Sequence, residues 1–196
     1  MVGHYNVDDQ GVPAQRVLLI EDGVLRTLLM SRRPAKDMLQ SNGHGRSGLP
    51  GRETAQIGNL FIQASESKSY EGLKQQLLQM CRTEKLQYCI VIKALRADGR
   101  SPIGIPVLTY KVDVDTGNEE LVRGVSAMAI PVRSLREIEA AGNDAFVENR
   151  LIGARALPTP TSIIAPSVLL EEMELKKPTD SQDRPTLLTH PYFSSN

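Results

Sequence analysis

Residues 16–31 read Arg16-Val17-Leu18-Leu19-Ile20-Glu21-Asp22-Gly23-Val24-Leu25-Arg26-Thr27-Leu28-Leu29-Met30-Ser31. Two β-prone runs flank Glu21-Asp22-Gly23. Asp-Gly between apolar runs is a strong hairpin signal, because both turn positions take positive φ. This stretch sets a β-dominated reading for the rest of the chain.

Moving outward, the pattern dissolves between Arg32 and Gln56, where Pro34, Ser41, Asn42, Gly43, Gly45, Gly48, Pro50 and Gly51 predict a long loop. Loops of that length inside a domain are more often functional or disordered than ordinary connections. Strand character returns over Ile57–Ala64. From Ser69 to Glu84, the apolar positions Tyr70, Leu73, Leu77, Met80 and Cys81 recur at spacings of three and four, which predicts a helix capped by Ser69. Further strands are predicted over Leu86–Leu95, Ile105–Asp113 and Leu121–Ile130, with turns at Asp98-Gly99 and Asp115-Thr116-Gly117-Asn118. Lys111, Asp113 and Asp115 alternate with Val112 and Val114, as in a strand with one wet face. Val132, Leu135 and Ile138 suggest a second, shorter helix over Pro131–Ala141, ended by Gly142-Asn143. A last extended run, Ser162–Leu175, bends at Pro166. The sum is an α+β fold, predominantly antiparallel β-sheet arranged as a sandwich or barrel, with two short helices. Residues 1–175 form the domain, and 176–196 an extended or disordered tail rich in Pro, Ser, Thr and charge.

Composition narrows the functional classes. Lys plus Arg equals Asp plus Glu, at 23 each, so no long-range field steers the chain to a polyanion, and nucleic-acid binding is disfavoured. No segment approaches the ~18 consecutive apolar residues of a membrane span. Met1–Gln10 has no signal-peptide stretch, and the expected location is the cytoplasm. Cys81 and Cys89 fit neither a C-x-x-C motif nor a disulfide framework, and are read as buried free thiols.

The loop Asn42-Gly43-His44-Gly45-Arg46 is the best candidate for chemistry. Glycines let backbone N–H groups approach a ligand, while His44 and Arg46 suit a peptide carboxylate or carbonyl. The bland reading is a surface loop whose shape needs glycine. A lone His44 without a second ligand is a poor metal site. Asp8-Asp9 is read as a solvated turn, because neighbours on an extended chain point to opposite faces. Ser41, His44 and Asp37 share a loop, but short spacing gives no triad geometry. Glu171, Glu172 and Glu174 mark a charged edge, against which an extended peptide could also pair.

Several stretches resemble the TldD/PmbA family of metallopeptidases, also called modulators of DNA gyrase. Gly3-His4-Tyr5-Asn6-Val7-Asp8-Asp9-Gln10-Gly11-Val12-Pro13-Ala14-Gln15-Arg16 is similar to that family's D-D-E-G-V-P-A-Q-R stretch and runs into the hairpin as it does there. Ser41–Arg46 resembles the family's glycine-rich loop, Asn59 falls where the family carries an Asn, and Leu121-Val122-Arg123-Gly124 through Gly142-Asn143-Asp144 follows in the same order. The resemblance covers Gly3 to about Leu175. It implies the β-rich carboxy-terminal domain of a two-part peptidase, whose amino-terminal part holds zinc on an H-E-x-x-x-H helix, with the Glu as general base.

Two departures follow. His4, His44 and His190 are followed by Tyr, Gly and Pro, so H-E-x-x-x-H does not occur in this chain. The stretch Asn149–Gly153, where the family's metal-ligating cysteine would fall, contains no cysteine. The resemblance therefore implies a substrate-cleft wall and subunit interface that is inactive alone. It implies no catalytic or metal-ligating residue in this chain, with substrate contacts expected at Asn42, His44, Arg46 and Asn59. Zinc is expected only in a partner domain or subunit of TldD type, and the substrate is a peptide or unfolded polypeptide. The alternatives are a stand-alone interaction module and a regulator of a DNA topoisomerase.

Overall fold

A computed structural model describes residues 1–35, 38–47, 53–96, 105–127, 136–152 and 158–176. In chain order its elements are β1 (Ile20–Glu21), β2 (Val24–Leu25), β3 (Gly45–Arg46), β4 (Thr54–Ala55), β5 (Asn59–Phe61), α1 (Tyr70–Thr83), β6 (Tyr88–Arg96), β7 (Ile105–Asp113), β8 (Glu119–Val122), β9 (Ser126–Ala127), β10 (Ile138–Ala141), β11 (Phe146–Ile152), β12 (Thr159–Ala165), β13 (Val168–Leu170) and β14 (Leu175–Lys176). They form several small sheets with one helix among the described residues, an α+β fold. Among the described residues no sheet closes into a barrel, which corrects that part of the expectation. No helix of the described residues is long and apolar enough to cross a membrane.

The chain gathers into two compact units, Met1–Tyr70 with Ala141–Val168, and Glu71–Ala140 with Leu169–Asn196. In the first unit the Asp22-Gly23 turn closes the β1–β2 hairpin with both residues at positive φ, as the sequence predicts. The larger sheet of this unit has the order β11-β12-β5, with β12 antiparallel to β11 and parallel to β5. Its register aligns Asn149, Ser162 and Asn59 across the three strands, and Val147, Ile164 and Phe61 in a neighbouring row. Ser162 is wholly buried; its hydroxyl donates to Asn149 Oδ1 at 2.8 Å and accepts the Gly3 N–H at 3.2 Å. The polar row thus receives the amino-terminal segment. Phe61 in the apolar row stays exposed.

The second unit packs α1 on the three-stranded sheet β6-β7-β8. Its core is Leu78, Cys81, Cys89, Val112 and Val114, with Leu77 and Val91 against it. Val112 and Val114 are buried, as their alternation with charged residues predicts. The helix starts at Tyr70, directly after Ser69. It ends in a Schellman turn: Lys85 takes positive φ, Leu86 N–H donates to Cys81 C=O, and Lys85 N–H donates to Arg82 C=O. The turn sends the chain straight back into β6, bringing Cys89 opposite Cys81 with their Cα atoms 6.2 Å apart. The two cysteines are buried as expected but are joined as a disulfide, not free. Sequence spacing missed the bond because it depends on this reversal of direction.

The end of the predicted second helix is also corrected. Ile138–Ala141 is a strand, preceded by one tight turn at Arg136–Glu137, while Pro131–Leu135 lies outside the described residues. Glu171 N–H donates to Glu137 C=O and Gly142 N–H to Ser167 C=O, so pairing with β13 satisfies backbone groups that a short helix would satisfy internally. β12 stops at Ala165, before Pro166, as a bend there requires. The Asp98-Gly99 turn and the tail beyond Lys176 fall outside the described residues.

Candidate functional site

The site is assembled in the first unit from the amino-terminal turn and the glycine-rich loop. Residues 7–13 fold back on themselves: Val7 bridges Pro13, Asp8 N–H donates to Val12 C=O, and Gly11 turns the chain at positive φ. The Asp8 carboxylate holds this turn from inside. Oδ1 accepts the N–H groups of Gln10 at 3.0 Å and Val12 at 2.8 Å, and Oδ2 accepts the Gly45 N–H at 2.8 Å. Asp9 completes the clamp on β3. Its N–H donates to Gly45 C=O, its Oδ2 accepts the Ser47 N–H at 2.7 Å, and its Oδ1 lies 3.5 Å from Arg46 Nε. Asp8 is 5% exposed, so it is not part of the solvated turn expected from its polarity. A buried carboxylate is tolerated here because three backbone donors replace water.

The loop itself is braced by Asn42, which acts as a surrogate strand partner for residues 28–30. Its Oδ1 accepts the Met30 N–H at 2.7 Å and its Nδ2 donates to Leu28 C=O at 2.9 Å. Ser41 Oγ donates to Met30 C=O and accepts the Gly43 N–H, so it is engaged away from His44; Asp37 lies outside the described residues. Gly43 takes a φ of +75°, and a Cβ there would overlap the Pro13 carbonyl oxygen. Tyr5 OH donates to Gly43 C=O at 2.9 Å.

Two side chains then meet Tyr5. The Arg46 guanidinium lies over its ring at 4.2 Å, and the His44 ring stands nearly perpendicular to it at 6.4 Å. Burial raises the Tyr5 pKa, opposed by Arg46. Arg46 is buried, and its Nε and Nη1 have no hydrogen-bond partner; its charge rests on Asp9 and the aromatic face. His44 is half-buried, with Nδ1 3.0 Å from both the Asn42 carbonyl oxygen and Asn42 Oδ1. Burial lowers its pKa, as does Arg46, while the Asn42 carbonyl and Asp8 act the other way. Beside this cluster runs an open groove of about 390 Å³ lined by Thr27, Met30, Met38, Leu39, Gln40 and Asn42.

Of the four residues singled out by sequence, Asn42, His44 and Arg46 thus share one cluster. Asn59 stands in the sheet, where its buried Oδ1 has no partner; its neighbour Gly58 packs against the Tyr5 ring. The Asn42 side chain is occupied in bracing the loop, and no hydrogen bond reaches His44 Nε2 among the described residues. Tyr5, Asp8 and Asp9 were not recognised as site residues in the sequence, although all three lie within the stretch that carried the resemblance. Among the described residues no group of three or more His, Cys, Asp or Glu side chains could hold a metal ion. Asp8 is committed to backbone donors and the cysteines are bonded to each other, so the donor set does not fit a metal centre.

This is the architecture of a β-rich domain that holds a loop in place with its own buried charges. The chain belongs to the PmbA/TldD metallopeptidase family: the model of the PmbA/TldA metallopeptidase C-terminal domain matches residues 1–177. No curated protein matches it.

Proposed function

We propose that this chain forms the wall of a substrate cleft and a subunit interface in a metal-dependent peptidase, and that it is inactive by itself. The observation that carries the proposal is the family match over residues 1–177, in a sequence where no His is followed by Glu in an H-E-x-x-x-H arrangement. Hydrolysis of this type needs a metal-activated water and a general base. Those groups would come from a partner domain or subunit of TldD type carrying zinc, with a peptide or unfolded polypeptide as substrate. The glycine-rich loop beside the open groove suits a role in lining such a cleft.

The test is co-purification from cells followed by reconstitution. The chain is expected to capture a zinc-containing protein with the H-E-x-x-x-H helix, and an unfolded polypeptide is cleaved only when both are present. Stoichiometric zinc and turnover with this chain alone would refute the proposal.

A further inference from the structure

We propose that His44 is a binding residue that offers Nε2 as a hydrogen-bond acceptor to the backbone N–H of an extended peptide, with Asn42 as the positioning residue that fixes its tautomer. The inference rests on reading the chain as part of a peptidase cleft, and adds the contact and its polarity.

The tautomer follows from hydrogen-bond accounting. The Asn42 amide has one orientation, because Oδ1 accepts the Met30 N–H while Nδ2 donates to Leu28 C=O. Both atoms facing His44 Nδ1, the Asn42 carbonyl oxygen and Asn42 Oδ1, are therefore acceptors. Nδ1 must carry the proton, and a neutral ring then has its lone pair on Nε2. The ring is held from two sides, by Asn42 and by the Tyr5 edge contact. Gly43 and Gly45, on either side, are buried against Pro13 and Gln10, so the backbone that carries His44 is itself fixed.

Charge decides what kind of group this acceptor receives. The ionisable groups around it are Asp8 and Asp9 on the amino-terminal turn, Arg46 on β3 and Tyr5. Asp8 and Arg46 bear on the ring with opposite signs, so no net charge draws in an anion, and a carboxylate has no proton to give a lone pair. A neutral N–H donor suits the local field. The neighbouring groove offers Met30, Met38 and Leu39 to the rest of such a segment, and flexible thioethers adapt to varied side chains.

The test uses the full chain labelled with 15N. Long-range correlation spectra at neutral pH are expected to show His44 protonated on Nδ1 and bare on Nε2. Titration with an acetylated, amidated Ala/Thr octapeptide should move the Nε2 resonance, and the same peptide methylated on every backbone nitrogen should not. His44→Phe should weaken binding about fivefold, the loss of one hydrogen bond. Asn42→Ala removes one of the two acceptors at Nδ1, and should lower the share of the Nδ1–H tautomer and weaken binding while His44 remains. A proton on Nε2, an imidazolium at neutral pH, no Nε2 response, or an equal response to the methylated peptide each overturns the proposal. These readouts need no partner, so loss of the peptidase reading in the co-purification test remains distinguishable from loss of this one.

Discussion

The carboxylate of Asp8 accepts the backbone N–H of Gly45 at 2.8 Å across 37 positions of sequence. With the Gln10 and Val12 N–H groups on its other oxygen, one buried side chain ties the amino-terminal turn to the glycine-rich loop. Asp8→Asn keeps the shape but turns an amide N–H toward one of the three backbone donors, and Asp8→Ala removes every acceptor. Hydrogen bonds to a charged acceptor contribute ~1.5–3 kcal/mol each, and a buried donor left unpaired costs ~1–3 kcal/mol. Asp8→Asn is expected to lower unfolding free energy by about 2 kcal/mol and Asp8→Ala by about 4 kcal/mol, read from urea denaturation. Two variants as stable as the parent would mean that Asp8 is not what holds the loop.

Gly43 and Gly117 share a left-handed backbone but not a neighbourhood. At Gly43, a Cβ would overlap the Pro13 carbonyl oxygen; at Gly117, it would meet nothing. The left-handed conformation alone costs an ordinary residue ~1–2 kcal/mol, and overpacking adds ~1–3 kcal/mol. Gly117→Ala should therefore cost about 1 kcal/mol and Gly43→Ala about 3 kcal/mol or more in the same assay. Equal costs would show that the Pro13 contact is not felt.

Local elements were legible where one short-range rule sufficed. The Asp22-Gly23 hairpin, the helix after Ser69 and the buried Val112 and Val114 followed from turn chemistry and periodicity. Ile138–Ala141 was misread because three apolar residues at helical spacing say nothing of a strand partner that arrives about thirty residues later. At the site, Asn42, His44 and Arg46 share one cluster, as their place on one loop leads one to expect. Polarity suggested that Asp8 faced water, when its partners are backbone groups on its own turn and on β3. Arg46 read as a ligand-binding cation, and its contacts with Tyr5 and Asp9 were not foreseen. Contacts made over tens of residues leave no periodic trace in a single sequence.

The bond between Cys81 and Cys89 closes a loop with a sequence separation of 8, right across the core of the second unit. A loop that short restrains the unfolded chain by about 2.5 kcal/mol in the entropic account. Digestion without reductant should yield a linked peptide pair, and reduction should lower the urea midpoint by a corresponding amount. Recovery of both cysteines as alkylated thiols from unreduced, denatured protein would remove the bond from the native state.

His44 should leave a signature in the pH dependence of stability. Burial holds its folded pKa below the ordinary value of 6.5, with Arg46 assisting and the Asn42 carbonyl and Asp8 opposing. Between the folded value and 6.5 the unfolded chain therefore binds more protons than the folded one, and stability rises with pH across that window. The gain is complete above 6.5, and the full penalty is felt once pH falls below the folded value. Asp113, Glu119 and Asp144 have depressed values, from hydrogen bonds with Thr116, with Lys74 and Lys93, and with Ser167 respectively. Their contributions are lost only as pH falls through folded values below 3.8 for the aspartates and below 4.5 for the glutamate, so they lie under the histidine window. Urea midpoints measured from about pH 5 to about pH 7 should climb in the parent chain, and His44→Phe should flatten the climb. A slope unchanged by His44→Phe would mean that the ring is not held neutral by its surroundings, and the acceptor on Nε2 would lose its physical basis.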